Sequence, residues 1–113
     1  MENEEKLVIR IKSRRMPNSE DWVKGTVVNT NVNGETVGHK YSFEAKVYKE
    51  NSSLGIYGGS VRDLTILKHI RIKQDIELVK YDGVWDACSQ DEETQKVLNT
   101  ILHYLSDIKN FKD

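Results

Sequence analysis

Residues 31–48 read Asn-Val-Asn-Gly-Glu-Thr-Val-Gly-His-Lys-Tyr-Ser-Phe-Glu-Ala-Lys-Val-Tyr, and this stretch decides the fold. Asn33-Gly34 is the strongest short hairpin signal in the chain, because both residues tolerate the positive φ of a type I′ turn. A two-residue loop centred there sets Val32 opposite Glu35 and Val28 opposite His39. Tyr41, Phe43, Ala45 and Val47 then line one face of a strand, across from Thr26 and Trp22, while Ser42, Glu44, Lys46 and Tyr48 point the other way. One dry and one wet face is the antiparallel pattern.

Working outward, Leu7, Ile9 and Ile11 alternate with Val8, Arg10 and Lys12 in a first strand. A polar loop around Pro17, the only proline, leads into a second strand from Trp22 to Thr30. After the hairpin, Asn51–Gly55 and Gly58-Gly59 mark breaks, and Val61 to Leu67 forms a fourth strand. Lys68–Lys73 reads equally as its extension or as a connection. Ile76 to Tyr81 is a fifth strand, ended by Asp82-Gly83.

The period then changes. Val97, Leu98, Ile101, Leu102, Leu105 and Ile108 recur at three and four, which predicts an amphipathic helix over about 90–108. Ser89 and Glu92 match a capping box, with Ser89 as the N-cap. Lys109 to Asp113 is expected to fray. The expected fold is α+β, a meander of about five antiparallel strands over about 6–81 with the C-terminal helix on one face, forming a single domain over 1–113. A curled small barrel is the alternative.

Composition narrows the function classes. The 113 residues carry 17 Lys+Arg and 18 Asp+Glu, for a net charge of −1, which argues against a general nucleic-acid binder. No apolar run approaches the length of a membrane span, and the acidic start lacks the features of a signal peptide. One cysteine makes no internal disulfide, so a cytoplasmic location is expected. His39, His69, His103 and Cys88 lack metal-ligand spacing, and no metal or cofactor is expected. Nucleophilic catalysis has no sequence support either: Cys88 reads as a half-buried thiol before the helix, and Ser60 lacks the Gly-x-Ser-x-Gly elbow.

Two segments stand out as candidate binding residues. In Gly55-Ile56-Tyr57-Gly58-Gly59-Ser60, the glycines Gly58 and Gly59 permit either a bend into the next strand or a backbone-lined anion site, with Arg62 placed to assist. In Tyr81-Asp82-Gly83-Val84-Trp85-Asp86, two aromatics and two carboxylates, Tyr81, Trp85, Asp82 and Asp86, share six residues. They suit a recognition surface, or Trp85 plugs the core while the acids serve turns. Because consecutive antiparallel strands neighbour each other, both segments are expected at one end of the sheet, with Arg62 close to Asp82 and Asp86. The basic clusters Lys12, Arg14, Arg15 and Lys68, Arg71, Lys73 read as solvated strand ends. Residues 86–113 hold six acids against three lysines, an asymmetry able to orient a charged partner.

The ordered set Trp22-Val23-Lys24-Gly25, Phe43-Glu44-Ala45-Lys46, Gly55-Ile56-x-Gly58-Gly59-x-Val61 and Tyr81-Asp82-x-x-Trp85-Asp86 resembles a family of small uncharacterised proteins of Firmicutes and their phages and plasmids. The resemblance covers about residues 20–86 and leaves the helix outside. Where that pattern has Arg-Gly before Trp-Asp, this chain has Gly83-Val84. The resemblance implies a small cytoplasmic protein of mobile elements without an assigned activity. The expected function is a non-catalytic binding protein, acting on a host system by gripping a host protein or sequestering a nucleotide-like ligand. A homo-oligomeric assembly module, such as a homodimer, is the alternative. A small enzyme acting on nucleotides comes third and requires Glu44, Asp82, Asp86 or His69 to converge.

Overall fold

The computed structural model describes residues 6–15, 20–48, 50–51, 53–70 and 75–110. Six strands form one antiparallel sheet in sequence order: β1 (Lys6–Arg15), β2 (Glu20–Thr30), β3 (Thr36–Tyr48), β4 (Val61–His69), β5 (Ile76–Tyr81) and β6 (Trp85–Cys88). A single α-helix, α1 (Glu92–Asn110), follows. The meander and the C-terminal helix are as expected, and the strand count is six rather than five. β6 has only four residues and two of its side chains are exposed, so it carries almost no alternation for a sequence reading to detect.

The β2–β3 register departs from the expected one for two local reasons. The loop is not a two-residue type I′ turn. The Asn31 backbone N–H donates to the Glu35 carbonyl at 2.9 Å and the Gly34 N–H to the Asn31 carbonyl at 3.0 Å, with Gly34 at φ 83. Asn33 does not take positive φ, so this is a three-residue loop closed by a glycine in the left-handed region. The Asn31 Oδ1 holds it by accepting from the backbone N–H groups of Asn33 and Glu35. The ladder then shifts between Val28 and Asn29, passing over Gly38 and His39, with Gly38 at φ 74. Val28 therefore opposes Lys40, and Val27 and Val23 oppose Tyr41 and Ala45. A one-residue slip exchanges the faces of a strand, so Val23 and Val27, not Trp22 and Thr26, enter the core.

That core lies between α1 and one face of the sheet. Val23, Val27, Tyr41, Phe43, Ala45, Val47, Leu64, Ile66, Val79 and Tyr81 pack with Val97, Leu98, Ile101 and Leu105 of the helix. Tyr41 is fully buried and reaches the Glu93 carboxylate through its hydroxyl. Lys68 donates to the other oxygen of Glu93 at 3.1 Å, tying the start of the helix to β3 and β4.

The helix starts two residues later than the capping box predicts. Asp91 is the cap: its Oδ2 accepts from the Thr94 N–H at 3.0 Å and its Oδ1 from the Thr94 hydroxyl at 2.8 Å. Ser89 also donates to Asp91. These hydrogen bonds favour the ionised form and hold the Asp91 carboxyl down at about 2. Aspartate caps as well as serine does, and here its two oxygens serve three donors. The helix continues through Asn110, past the expected frayed start at Lys109; residues 111–113 lie outside the described residues. Lys68 and His69 belong to β4, whereas Arg71–Lys73 and the Pro17 turn lie outside the described residues. No helix among the described residues is long and apolar enough to cross a membrane.

Candidate binding sites

The Gly55–Gly59 segment folds as a short 3-10 turn, Ile56–Gly58. Ile56 anchors it in the core at 4 % exposure, and Tyr57 is thrown outward at 74 %. Tyr57 is the one described non-glycine residue at positive φ (φ 54, ψ 32), a conformation costing a side-chain-bearing residue roughly 1–2 kcal/mol. Gly58 follows at φ 72.

The Tyr81–Asp86 segment meets this turn. Leu64 pairs with Tyr81 at the β4–β5 seam, and Tyr81 pairs with Trp85 at the β5–β6 seam. The Tyr81 ring meets Trp85 edge-on with centroids 4.8 Å apart, and the Tyr57 and Trp85 centroids are 6.0 Å apart. The Tyr81 hydroxyl donates to the Leu54 carbonyl at 2.7 Å, binding the two segments together. Trp85 is 40 % exposed and Val84 and Leu54 are more so. Trp85 thus sits on the outermost strand and does not plug the core. Asp82 and Asp86 are exposed in the same segment, with Gly83 at φ 95 closing the β5–β6 turn. A cavity of about 290 Å³ adjoins the cluster, lined by Tyr57, Gly59, Ser60 and Leu102 among others.

Two parts of the expected site do not assemble. The N–H groups of Gly58 and Gly59 donate to the Gly55 and Ile56 carbonyls at 3.0 and 2.9 Å, so these amides are already engaged within the turn and do not present an anion nest. Arg62 forms no ion pair with Asp82 or Asp86 among the described residues. It is the extra residue where the β3–β4 ladder shifts, because Lys46 pairs with Asp63 and Val47 with Val61. Its guanidinium carbon lies 4.1 Å from the Tyr48 ring centroid. The segments do meet at one end of the sheet, but through Tyr57, Tyr81 and Trp85.

The helix-free face of the sheet holds a second, larger cavity of about 510 Å³. Lys12, Lys24, Thr26, Lys40, Ser42 and His69 contribute to its walls. Glu44 also lines it and pairs with Lys24 at 3.9 Å. Ser42 opposes Leu67, and His69 lies two residues further along β4 opposite Lys40, so Ser42 and His69 are diagonal neighbours on one face. The His69 Nε2 is 2.9 Å from the Ser42 Oγ, and its Nδ1 is 2.9 Å from the Asp75 Oδ1. Asp82 and Asp86 sit at the opposite end of β4 from His69, whereas Glu44 and His69 line this same cavity. Of the basic clusters, Lys12 lines this cavity, and Lys68 is engaged by Glu93.

Sequence reading misses Tyr57, Ser42 and Asp75. The glycines after Tyr57 are the only signal for the first. Residues 42, 69 and 75 become neighbours only through the β3–β4 register and the return to β5. Among the described residues, no three His, Cys, Asp or Glu side chains cluster to hold a metal.

A family model described as a domain of unknown function, DUF7678, matches residues 21–106. The match is consistent with the resemblance to an uncharacterised family. It also runs on through most of α1, so the helix lies inside the shared domain and β1 ahead of it. No curated protein and no solved structure matches the chain.

Proposed function

The chain belongs to the DUF7678 family, and from that premise we propose that it is a binding protein that grips a partner protein with the aromatic end of its sheet. The observation that carries this reading is Tyr57: a strained backbone holds a largely exposed ring beside a half-exposed Trp85. Strain of this kind persists where the surrounding structure enforces it, typically at binding and catalytic sites. Tyrosine and tryptophan are the residues that dominate binding hot spots. The exposed Asp82 and Asp86, in the same segment as Trp85, suit a partner segment bearing Arg or Lys, which would stack on the aromatic faces and pair with the acids.

The assembly alternative has less support. The free edge strand β1 carries exposed Lys6, Arg10 and Lys12 and a register shift between Ile11 and Ser13. Edge charges and bulges oppose strand-to-strand pairing.

Isothermal titration calorimetry of the full-length protein with Arg- and Lys-containing peptides tests the proposal. Saturable binding that weakens with salt and is lost in Tyr57→Ala and Trp85→Ala is expected. Absence of binding by any basic peptide, or equal binding by both variants, overturns it.

A further inference from the structure

The helix-free face carries a feature that binding through the aromatic end does not use. We propose that Ser42 is a nucleophile activated by His69, with Asp75 as its positioning residue, and that the site acts on a small carboxylic ester bearing negative charge.

A hydrogen-bond chain links Ser42, His69 and Asp75. A carboxylate only accepts hydrogen bonds, so the Nδ1 of His69 carries the proton it shares with Asp75 at 2.9 Å. In the neutral imidazole this leaves Nε2 as an acceptor, 2.9 Å from the Ser42 Oγ. The hydroxyl proton of Ser42 therefore points at a base, and a third group fixes the tautomer of that base. This arrangement of nucleophile, base and orienting group activates a serine whatever fold carries it. Ser42 and His69 also line a cavity of about 510 Å³, within the size range of small-molecule sites.

The cavity walls indicate the class of substrate. Lys12, Lys24 and Lys40 line it against the single acid Glu44, which selects a negatively charged ligand. Thr26 lies directly opposite Ser42 on β2, and Lys40 lies two residues away on the same face of β3. Strand backbone amides are engaged in the ladder, so side-chain donors, these two adjoining Ser42 in the ladder, are what the site offers to a developing oxyanion.

The step balances with the groups present. The Ser42 Oγ forms a bond to the ester carbonyl carbon as its proton passes to the His69 Nε2. The bond from that carbon to the leaving alkoxy oxygen breaks, and the alkoxide takes the proton from His69. Water then attacks the acyl-serine and gives a proton to His69; the bond from the acyl carbon to the Ser42 Oγ breaks, and Oγ takes that proton back from His69, releasing the carboxylic acid and restoring the Ser42 hydroxyl.

A fluorophosphonate probe tests the nucleophile directly, since Ser42 would form the O–P bond with loss of fluoride. Incubation of the folded full-length protein, followed by intact mass and peptide mapping, should show one adduct at Ser42 and none in Ser42→Ala. His69→Gln should label slower by roughly 100-fold or more. Asp75→Asn should also label slowly, while Asp75→Glu restores part of the rate, a rescue that a purely structural contact does not predict. An anionic p-nitrophenyl ester should be hydrolysed faster than its neutral counterpart, and Lys40→Ala should reduce that preference. No adduct on the wild-type protein, an adduct only at another residue, or wild-type labelling by His69→Gln overturns the proposal.

Discussion

Arg62 stacks on Tyr48, with the guanidinium carbon 4.1 Å from the ring centroid, while its Nε is buried without a hydrogen-bond partner. The bulge between β3 and β4 produces both facts, since an extra residue in a ladder is aimed differently from its neighbours. The ring face replaces part of the solvation that the cation gives up. Arg62→Ala is therefore expected to lower unfolding stability by about 1 kcal/mol through lost stacking and stem packing, as measured by urea titration. Because Arg62 lies off the aromatic site, peptide binding there should be unchanged.

Gly25 sits under a tight crossing. A Cβ there would lie 2.6 Å from the Arg10 carbonyl oxygen and 2.9 Å from the Phe43 Cε1. The backbone oxygen has no rotamer by which to move away. Gly25→Ala is expected to destabilise the protein by about 2 kcal/mol or more, seen as a lower denaturation midpoint with an unchanged slope.

Tyr57 permits a cleaner test of strain. Tyr57→Ala and Tyr57→Gly both remove the ring, but only glycine relieves the left-handed backbone. Tyr57→Gly should be more stable than Tyr57→Ala by about 1 kcal/mol. The two should be equally defective in binding. Equal stability of the pair would mean that the turn relaxes once the ring is gone.

Asp91 links helix capping to pH. Hydrogen bonds from Ser89 and Thr94 hold its carboxyl below the usual carboxylate range, at about 2. A depressed folded-state value means that the contribution is complete above the unfolded value and is lost as pH falls through the folded one. Asp91→Ala should therefore be less stable than wild type at neutral pH. The gap should narrow between about pH 4 and pH 2, as followed by thermal unfolding across that range.

Much of this molecule is legible along the chain because some interactions are local. The alternation of Tyr41, Phe43, Ala45 and Val47 and the spacing of Val97, Leu98, Ile101 and Leu105 are properties of consecutive residues, and they specify a half-buried strand and an amphipathic helix. The meander order follows from short connections between neighbours. The neighbourhood of the Gly58-Gly59 turn and Trp85 could be anticipated for the same reason.

What required the tertiary structure was register and aim. Asn31 rather than Asn33 organises the hairpin, and a shift at Gly38-His39 then decides that Val27, not Thr26, faces the core. Asp91 displaced Ser89 as the cap because two carboxylate oxygens satisfy more donors than one hydroxyl. The β3–β4 bulge set Arg62 on the Tyr48 ring and not in an ion pair with Asp82 or Asp86. The same β3–β4 register brought Ser42 beside His69. A one-residue slip moves a side chain to the opposite face of a sheet, so spacing along the chain cannot determine contacts that depend on pairing between strands.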